Sequence, residues 1–159
     1  MQSKTSIRQG LTIIIIAVVV GLSINLLREN SLPLIAHGIP EADQLFLSDD
    51  TGTAQLVLIN FDQAVELFRD GTVFIDARES QYFDEGHIKG AWNIGSPLEL
   101  AFKLDSLQGK NDLIVTYCGE ADCGSSENLA FTLQDLGFTR IFIYSGGWFE
   151  WSDAGMPVE

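Results

Sequence analysis

Basic side chains are scarce in this chain. Its 159 residues carry nine Lys and Arg against 22 Asp and Glu, a formal net charge of −13. The imbalance is unevenly placed. All 22 acidic residues lie at or after Glu29, where nine less Lys4, Arg8 and Arg28 leaves six basic residues, so this part carries about −16. Nucleic acids and anionic lipid head groups are bound through basic surfaces, so the acidic part is unsuited to either and nucleic-acid binding is excluded. Histidine is rarer still, with only His37 and His87. A metal site built on two cysteines needs further ligands, and two histidines leave little to supply them. No small-x-small cleavage pattern follows the N-terminal apolar run, where SINLLREN stands instead, which argues against a cleaved signal peptide.

That apolar run, LTIIIIAVVVGLSINLL from Leu11 to Leu27, contains no charge, and only Thr12, Ser23 and Asn25 are clearly polar. Its length sits at the lower edge of what crosses a bilayer, and helices of soluble proteins are rarely apolar on every face. We read residues 11–27 as an uncleaved transmembrane helix behind an N-terminal tail, residues 1–10. Lys4, Arg8 and the N-terminal amine precede it, while Arg28 is followed at once by Glu29. The positive-inside rule then sets the N-terminus in the cytoplasm and the bulk of the chain on the other side of the membrane, as a periplasmic or extracytoplasmic domain.

Residues 28–55 read as a linker, with Pro33, Pro40 and the polar DDTGT stretch at Asp49–Thr53 and no sustained period. From residue 56 to 159 short apolar runs alternate with helical patterns. Leu56–Ile59, Thr72–Asp76, Ala91–Ile94, Asp112–Tyr117 and Arg140–Tyr144 read as strands. Asn60 is placed to cap a helix that carries Phe61, Val65 and Phe68 on one face and stops before Gly71. A second helix is expected over Ser126–Leu136, with Leu129, Leu133 and Leu136 aligned and Gly137 just past its end. Such alternation predicts an α/β fold with a mostly parallel sheet covered by helices on both faces.

Cysteine occurs twice, and both copies fall in TYCGEADCGSS, Thr116 to Ser126. In open α/β sheets ligands bind beyond the carboxyl ends of the strands, and Cys118 follows one directly. Gly119 and Gly124 free the loop's backbone N–H groups to turn inward, and a helix beginning near Ser125 aims its positive end at the same place. Those features lower a thiol's pKa and cradle an anionic sulfur species. A thiolate attacks well yet can leave again, which suits Cys118 to nucleophilic chemistry; a buried or disulfide-bonded structural cysteine is the alternative.

FIDARESQYFDEGHIKGAWNI (Phe74–Ile94), LIVTYC (Leu113–Cys118) and LGFTRIFIYSGGWFEWSDAGMPV (Leu136–Val158) together resemble the rhodanese family of sulfurtransferases, in family order and over roughly Asn60 to Glu159. The resemblance implies that Cys118 accepts a sulfane sulfur from a small donor, becomes a persulfide and passes the sulfur to a thiol acceptor. The loop of Gly119, Glu120, Ala121, Asp122, Cys123, Gly124 and Ser125 would cradle the transferred sulfur with its amides, and no metal or organic cofactor is implied. Asp76 and Arg78 read as a structural pair pinning loops near the pocket, His87 as a hydrogen-bonded structural histidine, and Trp148 and Trp151 as core and pocket wall.

The loop departs from the commoner family pattern. Cys123 stands where an Arg or hydroxyl residue is common, the loop is slightly longer, and Glu120 and Asp122 are acidic. Carboxylates raise a thiol's pKa and repel anionic donors, so poor turnover of thiosulfate is expected. Phosphatase relatives need an Arg in this loop, which is missing. Cys123 either resolves the persulfide by attack, leaving a Cys118–Cys123 disulfide, or only lines and locks the loop. Three functions therefore compete: a membrane-anchored sulfurtransferase, a dithiol/disulfide redox protein using the same two cysteines, and a non-catalytic binding module.

Overall fold

The computed structural model describes residues 2–27, 39, 41, 55–120 and 123–159. The chain falls into two units, Met1–Gly38 and Ile39–Glu159. The first contains helix α1, Gln2–Leu26, within which Arg8–Leu26 is long and apolar enough to cross a membrane by length and composition. From Leu11 onward its large apolar side chains are exposed all round. Thr12 Oγ1 donates to the Arg8 carbonyl at 2.9 Å and Ser23 Oγ to the Val19 carbonyl at 2.8 Å. Both hydroxyls thus satisfy themselves within the helix.

The second unit is built on four parallel strands: β1 (Gln55–Ile59), β2 (Val73–Asp76), β3 (Ile114–Tyr117) and β4 (Arg140–Tyr144). Their order across the sheet is β1-β4-β3-β2, so β3 and β4 are central. Between them run α2 (Phe61–Arg69), α3 (Ser80–Glu85), α4 (Pro97–Leu107) and α5 (Ser125–Asp135), and α6 (Gly147–Asp153) follows β4. Alternation along the strands sorts the core into two layers. Phe74, Val115, Tyr117, Phe142 and Tyr144 face α2 and α6 and pack with Ala64, Leu67 and Trp151. Ile75, Ile114, Ile141 and Ile143 face α4 and α5 and pack with Leu100, Leu104, Ala130 and Leu133. The sheet is thus covered on both faces, as all-parallel sheets are.

Local chemistry explains most of the elements. Asn60 and Gln63 form a reciprocal capping box at the start of α2: the Asn60 side chain accepts from the Gln63 N–H, and the Gln63 side chain from the Asn60 N–H. Ser96 caps α4 through the Glu99 N–H, with Pro97 in the first turn. In α5 the buried line is Ser126, Ala130 and Leu133, with Leu129 and Leu136 at its flank, so the helix is rotated from the leucine face expected. The expected strand at Ala91–Ile94 is reduced to one bridge, Ile75 with Trp92. The reason lies next door, where the Asn93 amide donates to the carbonyls of Asp76 and Arg78 at 3.0 and 2.7 Å and turns the chain away. Of the expected linker, Ile39 packs on the α4/α5 layer and Glu41 bridges Leu58; its other residues up to Ala54 lie outside the described ones.

Where neighbouring parallel strands send their connections to opposite faces, a crevice opens at their carboxyl ends. Here β3 leads to α5 on one face and β4 leads to α6 on the other. The turn into α6 uses Gly147 at φ +62°. A side chain there would put its Cβ 2.6 Å from the Cys118 carbonyl oxygen and 2.9 Å from Gly119. Only glycine serves both the dihedral and the contact.

Gly155 supplies a control, because it has φ +68° but open space where a Cβ would sit. Gly155→Ala should cost the backbone term alone, about 1–2 kcal/mol. Gly147→Ala should cost clearly more, because the backbone it would strike belongs to the cysteine loop. Equilibrium urea unfolding of the two variants checks this; equal losses would mean that the close approach at Gly147 has no energetic weight.

Candidate functional site

Cys118 is the first residue after β3 and is only 3% exposed. The backbone around it is fixed from three sides. Upstream, the Tyr117 carbonyl accepts from the Ala77 N–H at 2.9 Å. Across the crevice, the first free N–H groups of α6 reach over: Trp148 N–H donates to the Cys118 carbonyl at 2.8 Å and Phe149 N–H to the Gly119 carbonyl at 3.0 Å. These are helix N-terminal donors that lack partners inside their own helix, so the cysteine loop and α6 satisfy one another. Downstream, buried Thr116 Oγ1 donates to the Ser126 carbonyl at 3.2 Å, tying β3 to the first turn of α5.

Peptide units are planar and trans, so a carbonyl and the N–H of its own unit point in opposite directions. With the carbonyls of Cys118 and Gly119 turned to α6, the N–H groups of Gly119 and Glu120 point away from it. At the far end of the loop α5 starts from Gly124 with no side-chain cap. Among the described residues no side chain caps its leading N–H groups, and the positive end of the helix dipole lies behind them. The loop thus gathers main-chain donors, the composition of an anion-receiving nest.

The structure joins Cys118 to Cys123 in a disulfide, with their Cα atoms 6.1 Å apart. Cys123 is half-buried, its N–H donates to the Glu120 carbonyl at 3.1 Å, and Glu120, Gly124 and Ser125 are exposed. Ala121 and Asp122 lie outside the described residues. Phe149, 55% exposed, stands beside Gly119, whose added Cβ would meet its ring edge at 3.4 Å, and so forms an aromatic rim on the loop.

Asp76 and Arg78 lie one strand over. Asp76, at the end of β2, is buried and receives Arg78 through Nε, Nη2 (2.6 Å) and the backbone N–H. The bidentate fork is the geometry that suits guanidinium and carboxylate. Arg78 Nη2 also donates to the Gly86 carbonyl at 2.7 Å, and its Cζ lies 4.9 Å from the centre of the Trp148 ring. Trp148 therefore holds the cysteine loop by its N–H and the Asp76–Arg78 pair by its ring. His87 stacks on Phe83 at 3.6 Å, places Nδ1 2.9 Å from the Phe83 carbonyl, and exchanges backbone hydrogen bonds with Glu159. Its ring is occupied with closing α3 and the last strand-like segment.

Two phenols sit beneath the crevice with pKa values well above their ordinary range. Burial is the main cause at Tyr117, with the charge of Asp76 adding to it; Tyr117 Oη accepts from the Ile88 N–H at 3.2 Å. At Tyr144 burial again leads, and the hydroxyl donates to Glu150 at 2.8 Å. Both stay neutral at physiological pH and act as floor, not as acids. Among the described residues no group of three or more His, Cys, Asp or Glu is placed to hold a metal ion.

Sequence reasoning singled out Cys118, its loop, Asp76, Arg78 and His87, but missed four residues that shape the site. Asn93 and Gly147 stand inside the family-like blocks, and a glycine pair directly before a tryptophan was the available signal for the tight approach. Glu150 and Phe149 carried no signal, since their roles come only from where α6 docks.

Comparison with known proteins fits this geometry. A profile of the rhodanese-like domain matches residues 60–154. The thiosulfate sulfurtransferase GlpE of Haemophilus influenzae is 29% identical over 97 residues, covering 61% of this chain and 89% of that protein. An HTH-type transcriptional regulator of Mycobacterium tuberculosis is 37% identical over 86 residues, 54% of this chain but 36% of the regulator. Among solved structures, the BH2092 protein of Bacillus halodurans superposes with a TM-score of 0.54 at 21% identity, covering 69% of this chain and 77% of that one, a likeness of fold. On the strength of the domain match, which spans more than half of its length, the chain belongs to the rhodanese-like domain family.

Proposed function

We propose that this protein is a membrane-anchored sulfurtransferase that carries sulfane sulfur as a persulfide on Cys118. The observation that carries the reading is the cysteine at the carboxyl end of β3, held by α6 on its carbonyl side and facing main-chain donors on the other. The relative from Haemophilus influenzae, named a thiosulfate sulfurtransferase, supports the reaction class. The Cys118 thiolate attacks the terminal sulfane sulfur of a donor R–S–S⁻ or R–SO2–S⁻; the new Cys118 S–S bond forms as the donor's bond to that sulfur breaks, and the rest leaves as a thiolate or a sulfinate with the electron pair. A thiol acceptor then removes the sulfur. When Cys123 is the acceptor, its sulfur attacks the inner, Cys118 sulfur; the outer sulfur leaves as sulfide, reduced by two electrons, and a Cys118–Cys123 disulfide remains.

The disulfide gives a second reading some ground of its own, namely a dithiol/disulfide redox protein for which sulfur transfer is incidental. The binding-module reading has less support, because a reactive residue type stands at the one loop end where this fold places chemistry. We also propose that α1 anchors the chain, with the N-terminus cytoplasmic and the domain outside. Lys4 and Arg8 ahead of the run, and the length and hydropathy of Arg8–Leu26, support this.

Three measurements test these readings. Full-length Cys123→Ser protein in detergent, reduced and then given polysulfide, should gain about 32 Da, one sulfur on Cys118, while Cys118→Ser gains none; a Cys123→Ser variant that takes up no sulfur, with wild type still losing two hydrogens, would instead favour the redox reading. Thiosulfate should be a poor donor because Glu120 and Asp122 repel it. Glu120→Gln should raise its kcat/KM by about three- to tenfold at low ionic strength, with the gain shrinking in 0.5 M salt as about 1 kcal/mol of repulsion is screened. An unchanged value would remove charge as the cause. For the anchor, alkaline carbonate should leave the chain in membranes, and protease added outside intact spheroplasts should degrade the domain; survival of the domain would reverse the orientation.

A further inference from the structure

The disulfide seals the residue that must receive sulfur, so a cycle through it needs a reductant, and the two sulfurs are not equivalent to one. Cys118 is 3% exposed, follows a central strand, and has its carbonyl clamped by α6. Cys123 is half-buried, between exposed Glu120 and exposed Gly124 and Ser125, and belongs to the side of the loop without the α6 clamp. An attacking thiolate must come in line with the sulfur–sulfur bond, from behind the sulfur that it strikes. Cys118, almost wholly buried, offers little surface to such an approach, whereas half-buried Cys123 keeps some. The leaving group follows the same order. Departure of Cys118 as thiolate leaves its charge on the side of the loop from which α5 starts, toward the positive end of that helix's dipole.

We propose that the oxidised site is reopened by an external dithiol that attacks Cys123 and expels Cys118. This rests on the sulfur-transfer reading for its place in a cycle, but concerns the disulfide alone. In the first step R–S⁻ bonds to the Cys123 sulfur, the Cys118–Cys123 bond breaks, and its electron pair leaves on Cys118. In the second step the other thiol of the dithiol attacks the R sulfur, the mixed disulfide breaks, and Cys123 leaves as thiolate. The dithiol is oxidised by two electrons and the protein disulfide reduced by two. Cys118 is released first and already ionised, ready for a sulfane donor, while the adduct occupies its competitor. The class of reaction that must serve this protein is therefore dithiol reduction directed at Cys123, and each discharge through Cys123 consumes one dithiol.

The test uses the full-length wild-type chain in detergent, with its disulfide intact and no sulfur donor present. It is exposed to excess glutathione, and samples are quenched at short intervals with iodoacetamide. Cleavage before Asp122 separates the two cysteines for mass mapping. Glutathione should be found on Cys123, with Cys118 alkylated, at least tenfold more often than the reverse. A protein dithiol whose second cysteine is replaced by serine should be trapped on Cys123 with the same preference. Adducts mainly on Cys118, or shared equally, would overturn the proposal, as would starting protein that alkylates twice before any reductant is added. Because no donor is present, a failure here is distinguishable from a failure of Cys118 to take up sulfur.

Discussion

The close approach of Gly147 to the carbonyl of Cys118 ties α6 to the backbone of the cysteine loop. A left-handed glycine lets the start of α6 lie against the backbone of the cysteine loop, with no room for a single methyl. From that approach follow the hydrogen bonds from Trp148 and Phe149 and the orientation of the Cys118 and Gly119 peptides, whose N–H groups face away from α6. The same turn sends Trp151 into the core, where it is fully buried against Phe68, Phe74 and Tyr144. Core packing and loop geometry are thus one constraint, since α6 cannot shift to relieve the first without disturbing the second.

Trp148 explains why three separated sequence blocks belong together. Its N–H serves the block that ends in Cys118, its ring takes the guanidinium of the block that begins at Phe74, and it is itself part of the closing block. Arg78 in turn fixes the Gly86 carbonyl, and His87 next to it pairs with Glu159. The charge of Arg78 is spent within this frame, with its side chain 9% exposed.

Much of the fold was legible in the sequence, and the exceptions have physical causes. The four strands announce themselves as short runs of Val, Ile and aromatics, and α2 by its Asn60 cap and left-handed Gly71. The apolar Ala91–Ile94 run misleads because strand propensity there is overruled by one side chain, Asn93, whose amide replaces a ladder partner. The helix α6 carries no capping side chain, since its leading donors are satisfied by another segment's carbonyls, and so its start is written in tertiary contact and not in local code. At the site, the position of Cys118 follows from strand and helix patterns alone. The bond to Cys123 and the rim residue Phe149 depend on how a loop closes, which spacing does not state.

The clamp on Cys118 and Gly119 from α6 acts through main-chain groups alone. In the proposed sulfur-transfer reading, side chains in the loop are thereby released from the task of holding sulfur, and charge could vary at exposed Glu120 without changing the backbone path. Affinity for the atom and choice of its carrier become separate properties, the first set by the path of the backbone and the second by whatever the exposed side chains present. A scaffold so divided can change its client by surface substitution while leaving the chemistry intact.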